Sequence, residues 1–172
     1  MKILAFAASS SKNSINKKLV TYAVGLLKNA QTEILDLNDY ELPLFSEDKE
    51  KELGHPSLAN DFLLKISGND ALIISFAEHN GSYTAAYKNL FDWCSRINTK
   101  VFQNKPMVLL ATSPGPGGAS NVLTTAKTSA PFFDGNVKAS VSVPKFYENF
   151  ESGKLINPEI DEQVHTAVKS LF

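Results

Sequence analysis

Five short apolar segments alternate with helical segments along the 172-residue chain, and this alternation limits the possible folds more than any other feature. Short apolar runs bounded by polar residues are typical of β-strands. The predicted strands cover residues 2–8, 32–37, 71–76, 106–112 and 137–143. Strands that alternate with helices form a parallel sheet with helices on both of its faces. The sequence therefore predicts a single α/β domain over residues 1–172.

The segments between the strands have apolar residues at the spacing of amphipathic helices. The first predicted helix follows the first strand and carries Leu19, Ala23, Leu26, Leu27 and Ala30 on one face. Further helices are predicted over residues 57–67 and 84–97, from Gly117 through Ala126, and after a cap at Asp161.

Residues 38–56 are polar and rich in charged side chains, so they predict an exposed excursion between the second strand and the next helix. Residues 42–45 form an apolar Leu-Pro-Leu-Phe segment inside this excursion. The segment either packs down on the sheet or contacts another subunit, and the sequence does not choose between these two roles.

The overall composition excludes several classes of partner and location. A formal net charge of -1 gives no reason to expect binding to nucleic acid or to an anionic membrane. The single cysteine, Cys94, excludes an internal disulfide framework and fits a reducing compartment. No apolar run approaches the length of a membrane span, and no signal peptide precedes the first strand. These features predict a cytoplasmic protein.

A serine-rich loop, residues 9–16, joins the first strand to the first helix. Free N–H groups at a helix N-terminus, together with hydroxyl donors, suit the binding of an anion such as phosphate. The alternative is that these residues only cap the helix and fill a turn. The loop has no glycine for a dinucleotide fingerprint, and Lys12 is followed by Asn13 rather than Ser or Thr. A mononucleotide phosphate is therefore the favoured ligand.

Two further loops, residues 77–83 and 113–118, follow the third and fourth strands. Ligands of such sheets bind beyond the carboxyl ends of the strands, where these loops and the serine-rich loop are expected to meet. Gly81 permits a positive φ, Asn80 can both donate and accept, and His79 either contacts a flat ligand or is a plain surface side chain. A metal site is not expected, because no second His or Cys stands at ligand spacing. No Ser-His-Asp arrangement is recognisable either.

The three loops together resemble the NADPH-dependent FMN reductases, a family that includes quinone, chromate and azo-dye reductases with a flavodoxin-like fold. Ser9, Ser14 and Asn16 match the family's first motif, and Glu78, Asn80, Gly81 and Ser82 match its second. The pairs Lys88-Asn89 and Asp92-Trp93 and the glycine-rich loop then follow in order, so the likeness spans residues 2–143. It implies a flavodoxin-like three-layer sandwich in which five parallel strands have the order 2-1-3-4-5.

The chain departs from the family pattern at four positions. In the first motif Ala8 replaces a glycine and Ser11 replaces an arginine, and in the second Ala77 replaces a proline and His79 a tyrosine. Phosphate binding would then rest on amides, hydroxyls and Lys12, and the choice between NADPH and NADH stays open.

The resemblance implies that FMN lies across the strand ends, and that no side chain is catalytic because the flavin carries the chemistry. The residues implied to bind the cofactor come from the three loops: Ser9, Ser11, Lys12, Ser14, Ile15, Asn16, Glu78, His79, Asn80, Gly81, Ser82, Ser113, Pro114, Gly115, Gly117 and Gly118.

The implied activity is hydride transfer from NADPH or NADH to flavin N5, followed by reduction of a quinone, azo compound, metal oxyanion or flavin. The alternative is a flavin-binding electron carrier or redox-responsive protein that does not oxidise NAD(P)H efficiently, which the missing arginine leaves open. The resemblance also implies a homodimer or homotetramer whose neighbouring subunit partly walls the flavin pocket. Tyr83, Phe91 and Trp93 suit such a wall, although core packing explains Phe91 equally well.

Overall fold

The computed structural model describes all residues from Met1 to Phe172. Its central sheet has five parallel strands: β1 (Lys2–Ala8), β2 (Gln31–Leu35), β3 (Ala71–Phe76), β6 (Pro106–Thr112) and β7 (Asn136–Val143). Two small antiparallel hairpins contain the remaining strands: β4 (Glu78–His79) with β5 (Ser82–Tyr83), and β8 (Phe150–Glu151) with β9 (Lys154–Leu155).

Seven α-helices and two 3₁₀ turns connect the strands. The helices are α1 (Ile15–Gly25), α2 (Glu47–Leu53), α3 (Ser57–Ser67), α4 (Ala85–Ile97), α5 (Ser120–Ser129), α6 (Phe146–Asn149) and α7 (Pro158–Lys169). The 3₁₀ turns cover Leu37–Tyr40 and Ala130–Phe133. None of the helices combines the length and the apolar character needed to cross a membrane.

The order of the central strands is β2-β1-β3-β6-β7, which is the predicted order 2-1-3-4-5. Alternate side chains of each strand point to opposite faces, so β1 places Leu4 and Phe6 in one apolar cluster and Ile3 and Ala5 in the other. The first cluster lies under α3, α4 and α5, and the second under α1 and α7. The predicted α/β sandwich with helices on both faces is confirmed.

Several predicted element bounds were wrong, and local hydrogen bonds explain why. β2 ends at Leu35 because the Asp36 carboxylate accepts from the backbone N–H of Asn38 and starts a 3₁₀ turn. α1 ends at Gly25, and Leu26 and Leu27 lie in the turn that follows. The exposed excursion is confirmed, but it contains α2, which Ser46 caps.

The last helix does not begin after a cap at Asp161. Asn157 is the cap, because its side chain accepts from the N–H groups of Glu159 and Ile160, and Pro158 occupies the first helical position. Asp161 lies inside the first turn, where its carboxylate accepts a hydrogen bond from the Tyr22 hydroxyl.

Candidate functional site

Three loops meet at the carboxyl edge of the sheet, because the strands that precede them are neighbours. β1 pairs with β3 and β3 pairs with β6 in parallel register. The serine loop (residues 9–16), the hairpin β4–β5 and the glycine loop (residues 113–119) therefore start side by side. The structure thus brings the three predicted ligand-binding segments together at one edge.

The serine loop offers a set of unpaired backbone donors at the start of α1. The N–H groups of Ser10, Lys12, Asn13, Ile15 and Asn16 have no acceptor within the protein. The hydroxyls of Ser9 and Ser14 are buried, and they accept from the N–H groups of Ser11 and Lys17. Free amides at the positive end of a helix form a binding site for an anion.

Lys12 and Lys17, two lysines close to the serine loop, differ in their ion pairing. Lys17 forms an ion pair with Asp36 at 2.5 Å, and this hydrogen bond lowers the pKa of the Asp36 carboxyl to about 2. Lys12 is exposed and has no acidic partner. Lys12 is therefore the free cation of the loop.

Asn16 has a different role from the one that the motif suggests. Its side chain is buried, and its oxygen accepts from the Ser75 hydroxyl at 2.7 Å and from the Thr112 N–H at 3.1 Å. Its amide group donates to the Thr112 carbonyl. Because the side chain is committed to these bonds, Asn16 ties α1 to β3 and β6, and only its backbone N–H faces the loop.

The hairpin β4–β5 projects from the end of β3 and exposes its tip. Asn80 and Gly81 both have positive φ, 52° and 78°, as a two-residue hairpin turn requires. The side chains of His79, Asn80 and Ser82 are exposed, and none of them has a hydrogen-bond partner within the protein. These side chains are free to contact a ligand.

Glu78 holds the hairpin against α5. Its half-buried carboxylate accepts from the backbone N–H of Val122 at 2.8 Å, in the first turn of that helix. Anionic side chains stabilise a helix at this end. Glu78 therefore positions two of the three loops relative to each other.

The glycine loop is closely packed against the end of β7. Gly118 has a φ of 56°, and a Cβ at this position would lie 2.3 Å from Ser142 Oγ and 3.0 Å from the Pro144 nitrogen. Gly118 and Ala119 are both left-handed, so α5 begins at Ser120 and not at Gly117 as predicted.

The outer part of the glycine loop remains open. The N–H groups of Gly115 and Gly117 have no acceptor, and Ser113 is half-buried with its hydroxyl 3.4 Å from the Gly115 carbonyl. Pro114 is exposed beside them. This face can therefore offer amide donors to a ligand.

Three residues that sequence reasoning did not single out help to shape the site. Thr84 donates its hydroxyl to the Ala8 carbonyl, Thr112 donates to Val143, and Ser142 donates to Gly118. Ser and Thr are common in loops and at strand ends, so no local signal distinguished these hydroxyls.

The apolar segment of residues 42–45 is pinned to α4. The Asn89 side chain accepts from the Phe45 N–H and donates to the Leu42 and Pro43 carbonyls, at 2.8–3.1 Å. The Trp93 indole N–H donates to the Pro43 carbonyl at 2.8 Å. The first predicted role was packing down on the sheet; the structure instead bonds the segment to α4, where Leu42 and Phe45 pack against the first apolar cluster and Leu44 stays 80% exposed.

Trp93 is not a wall of the site, contrary to expectation. Its side chain is fully buried and packs edge-on against Phe45. Tyr83 of the hairpin and Phe91 of α4 are half-buried in an aromatic group with Tyr87. No group of three or more His, Cys, Asp or Glu side chains in the structure could hold a metal ion.

Comparison with known proteins identifies sequence relatives of the chain. The family profile described as NADPH-dependent FMN reductase matches residues 1–148. An NAD(P)H-dependent FMN reductase of Pseudomonas aeruginosa is 27% identical over 99% of this chain and 93% of its own length. An NADPH:quinone oxidoreductase of Arabidopsis thaliana is 31% identical over 69% of this chain and 61% of its own.

Solved structures share the fold. The flavoenzyme NAD(P)H:(acceptor) oxidoreductase FerB from Paracoccus denitrificans superposes with a TM-score of 0.77 at 22% identity, covering 99% of this chain and 94% of that one. An NAD(P)H:quinone oxidoreductase from Methanothermobacter marburgensis gives a TM-score of 0.72 at 14% identity, with 99% and 96% covered. At such identities these likenesses show the fold alone.

Proposed function

Because the chain belongs to the NADPH-dependent FMN reductase family, we propose that it is an FMN-dependent NAD(P)H oxidoreductase that reduces small acceptors such as quinones. The observation that carries this proposal is the set of unpaired donors on three adjacent loops. The serine loop alone has five backbone N–H groups without an acceptor, those of Ser10, Lys12, Asn13, Ile15 and Asn16.

The donor set fits FMN. A terminal phosphate needs several donors converging on it, and the serine loop supplies free amides, with Lys12 as a cation beside them. Ser9, Ser11 and Ser14 complete the loop; the buried hydroxyls of Ser9 and Ser14 hold its shape through bonds to backbone N–H groups. Bound FMN would supply the redox chemistry, taking hydride from NADPH or NADH at N5 and giving electrons to the acceptor.

The other two loops would hold the flat ring. His79 and Asn80 would contact the ring from the hairpin, with Gly81 and Ser82 at the turn. The N–H groups of Gly115 and Gly117, beside Ser113 and Pro114, would donate toward the negative charge that reduction adds. Glu78, Asn16 and Gly118 would act by positioning these loops, since their own contacts are within the protein.

The proposal also includes the location, the oligomeric state and the further acceptors of the enzyme. We expect a cytoplasmic homodimer or homotetramer, with azo compounds, metal oxyanions and free flavins as further acceptors. Two structural neighbours are named azoreductases, one of them from Bacillus anthracis. Sedimentation velocity and steady-state assays with each acceptor class would test these points.

FMN binding is tested with a charge reversal in the serine loop. Lys12→Glu should weaken FMN binding about tenfold or more, because the new carboxylate repels the phosphate. Riboflavin has no phosphate, so its affinity should stay unchanged. Quenching of flavin fluorescence measures both affinities. Lys28→Glu is the matched control, since Lys28 is exposed beyond the C-terminal end of α1 and makes no ion pair.

The outcomes separate the possible functions. If wild-type protein binds neither FMN nor riboflavin, the proposed function is wrong. If it binds FMN but does not oxidise NADPH or NADH in the presence of a quinone, the protein is an electron carrier or redox-responsive protein instead.

A further inference from the structure

An apolar cavity of about 210 Å³ lies between α4 and α5, on the face of the sheet opposite α1 and α7. Its walls are mainly aromatic rings and the side chains of β6, including Phe76, Tyr83, Phe91, Phe102, Met107 and Phe133. The cavity includes none of the loop residues predicted to bind FMN, although Tyr83 and Phe91, which were expected to suit a wall of the flavin pocket, are part of its lining.

The polar groups of the cavity are confined to two places. The Tyr83 hydroxyl and Ser129 Oγ form a hydrogen bond of 3.1 Å inside the lining. Lys88, Asp92 and Ser95 follow one side of α4, where Lys88 and Asp92 form an ion pair at 2.7 Å. A charged ligand would lose its hydration among the rings without finding an unpaired opposite charge, so the cavity favours a neutral one.

The size and chemistry of the cavity define its occupant. Engineered apolar cavities of about 150 Å³ stay dry and bind benzene. This larger cavity has room for a ring with one small polar substituent, and its single hydroxyl pair can hydrogen-bond that substituent. We propose that the cavity is a binding site for a neutral single-ring phenol.

The cavity lies against the β4–β5 hairpin of the candidate flavin site, but phenol binding does not depend on flavin binding. Tyr83 pairs with Glu78 in the β4–β5 hairpin, so a ring in the cavity would pack against the base of that hairpin. Binding of phenol requires neither FMN nor NAD(P)H. If the proposed oxidoreductase activity is absent, phenol binding is therefore still expected. If phenol does not bind, the proposed oxidoreductase activity is unaffected.

The two methionines of the chain provide the test. Met107 is fully buried and lines the cavity, whereas Met1 is 41% exposed at the N-terminus. In full-length protein labelled at the methionine methyls, titration with phenol should shift the Met107 signal saturably through the ring current. The Met1 signal should not move, which makes it an internal control.

Variants distinguish this cavity from other sites. Ala126→Leu fills the cavity from α5 and should abolish the saturable shift. Ser129→Leu fills it from the end of the same helix and serves if the first variant does not fold. Thr125→Leu places the same side chain on the exposed face of α5 and should leave phenol binding unchanged.

Three results would overturn the proposal. The first is no saturable Met107 shift in wild-type protein, and the second is an unchanged shift in both folded filling variants. The third concerns Phe132, which is 81% exposed in the turn beside the cavity. If phenol binds only to Phe132→Ser, and this variant has a lower mass in sedimentation, a second copy of the chain occupies the cavity instead.

Discussion

Gly118 shows how a single residue sets the shape of the candidate site. Its positive φ turns the glycine loop, and its missing side chain lets the loop approach Ser142 and Pro144. The neighbouring Gly117 has ordinary φ, and a Cβ added there would have no other atom within 4 Å. Position 118 therefore requires glycine, whereas position 117 can accommodate a side chain.

We expect Gly118→Ala to destabilise the protein by about 2–4 kcal/mol, from left-handed strain and the clash with backbone atoms of Pro144. Gly117→Ala should change the free energy of unfolding by less than about 0.5 kcal/mol. Urea unfolding of both variants measures the difference. Equal stabilities would show that the loop relaxes without cost.

Asn16 is a buried polar side chain on which the shape of the candidate site also depends. We expect Asn16→Ala to cost about 2–4 kcal/mol, because the Ser75 hydroxyl and the Thr112 N–H lose their partner. Asn13→Ala is the control, since Asn13 is exposed in the same loop. If Asn16→Ala lowers the free energy of unfolding by no more than Asn13→Ala does, the Asn16 side chain does not hold α1 to the sheet.

At the scale of elements, α4 acts as a support for a distant segment. Asn89 and Trp93 lie one turn apart on this helix and bind residues 42–45 through four hydrogen bonds. Asn89 and Trp93 belong to the two residue pairs that resemble the family pattern, and the anchoring of residues 42–45 explains their presence in the sequence.

Asn89→Leu keeps the side-chain size but removes three of these bonds, so we expect a loss of about 2–4 kcal/mol. The local readout is hydrogen exchange. The Phe45 amide should lose its protection, while amides in the middle of α4 keep theirs. Unchanged protection at Phe45 would mean that Trp93 and packing alone hold the segment.

At the scale of the whole molecule, two apolar clusters share one sheet. The three central strands β1, β3 and β6 each contribute side chains to both clusters, so neither cluster can be lost without exposing the other face of the same strands. This arrangement favours a single cooperative domain over residues 1–172.

We therefore expect one unfolding transition in urea. The single tryptophan, Trp93, is fully buried in one of the clusters, and its fluorescence reports that side of the sheet. Circular dichroism in the far ultraviolet reports all helices and strands. The two curves should coincide, and separate midpoints would show that the faces unfold independently.

Local pattern in the sequence determined the order and type of the main elements. Apolar runs marked the five strands, and the strand order followed from the family resemblance carried by the loop motifs. The positive φ at Gly81 was also predictable, because a glycine after Asn is a local turn signal. Bounds failed where a cap competed, as at Asp36 and Asn157.

Only the tertiary structure determined the hydrogen-bond partners of the motif side chains. Asn16 bonds to Thr112, 96 residues away, and the bonds from Glu78 to Val122 and from Asn89 to Phe45 each join residues 44 apart. No local signal encodes such partners, because the parallel sheet and its crossovers bring them together only when the chain is folded. The sequence by itself determined which loops meet at the carboxyl edge, and the fold determined which of their side chains remain free for a ligand.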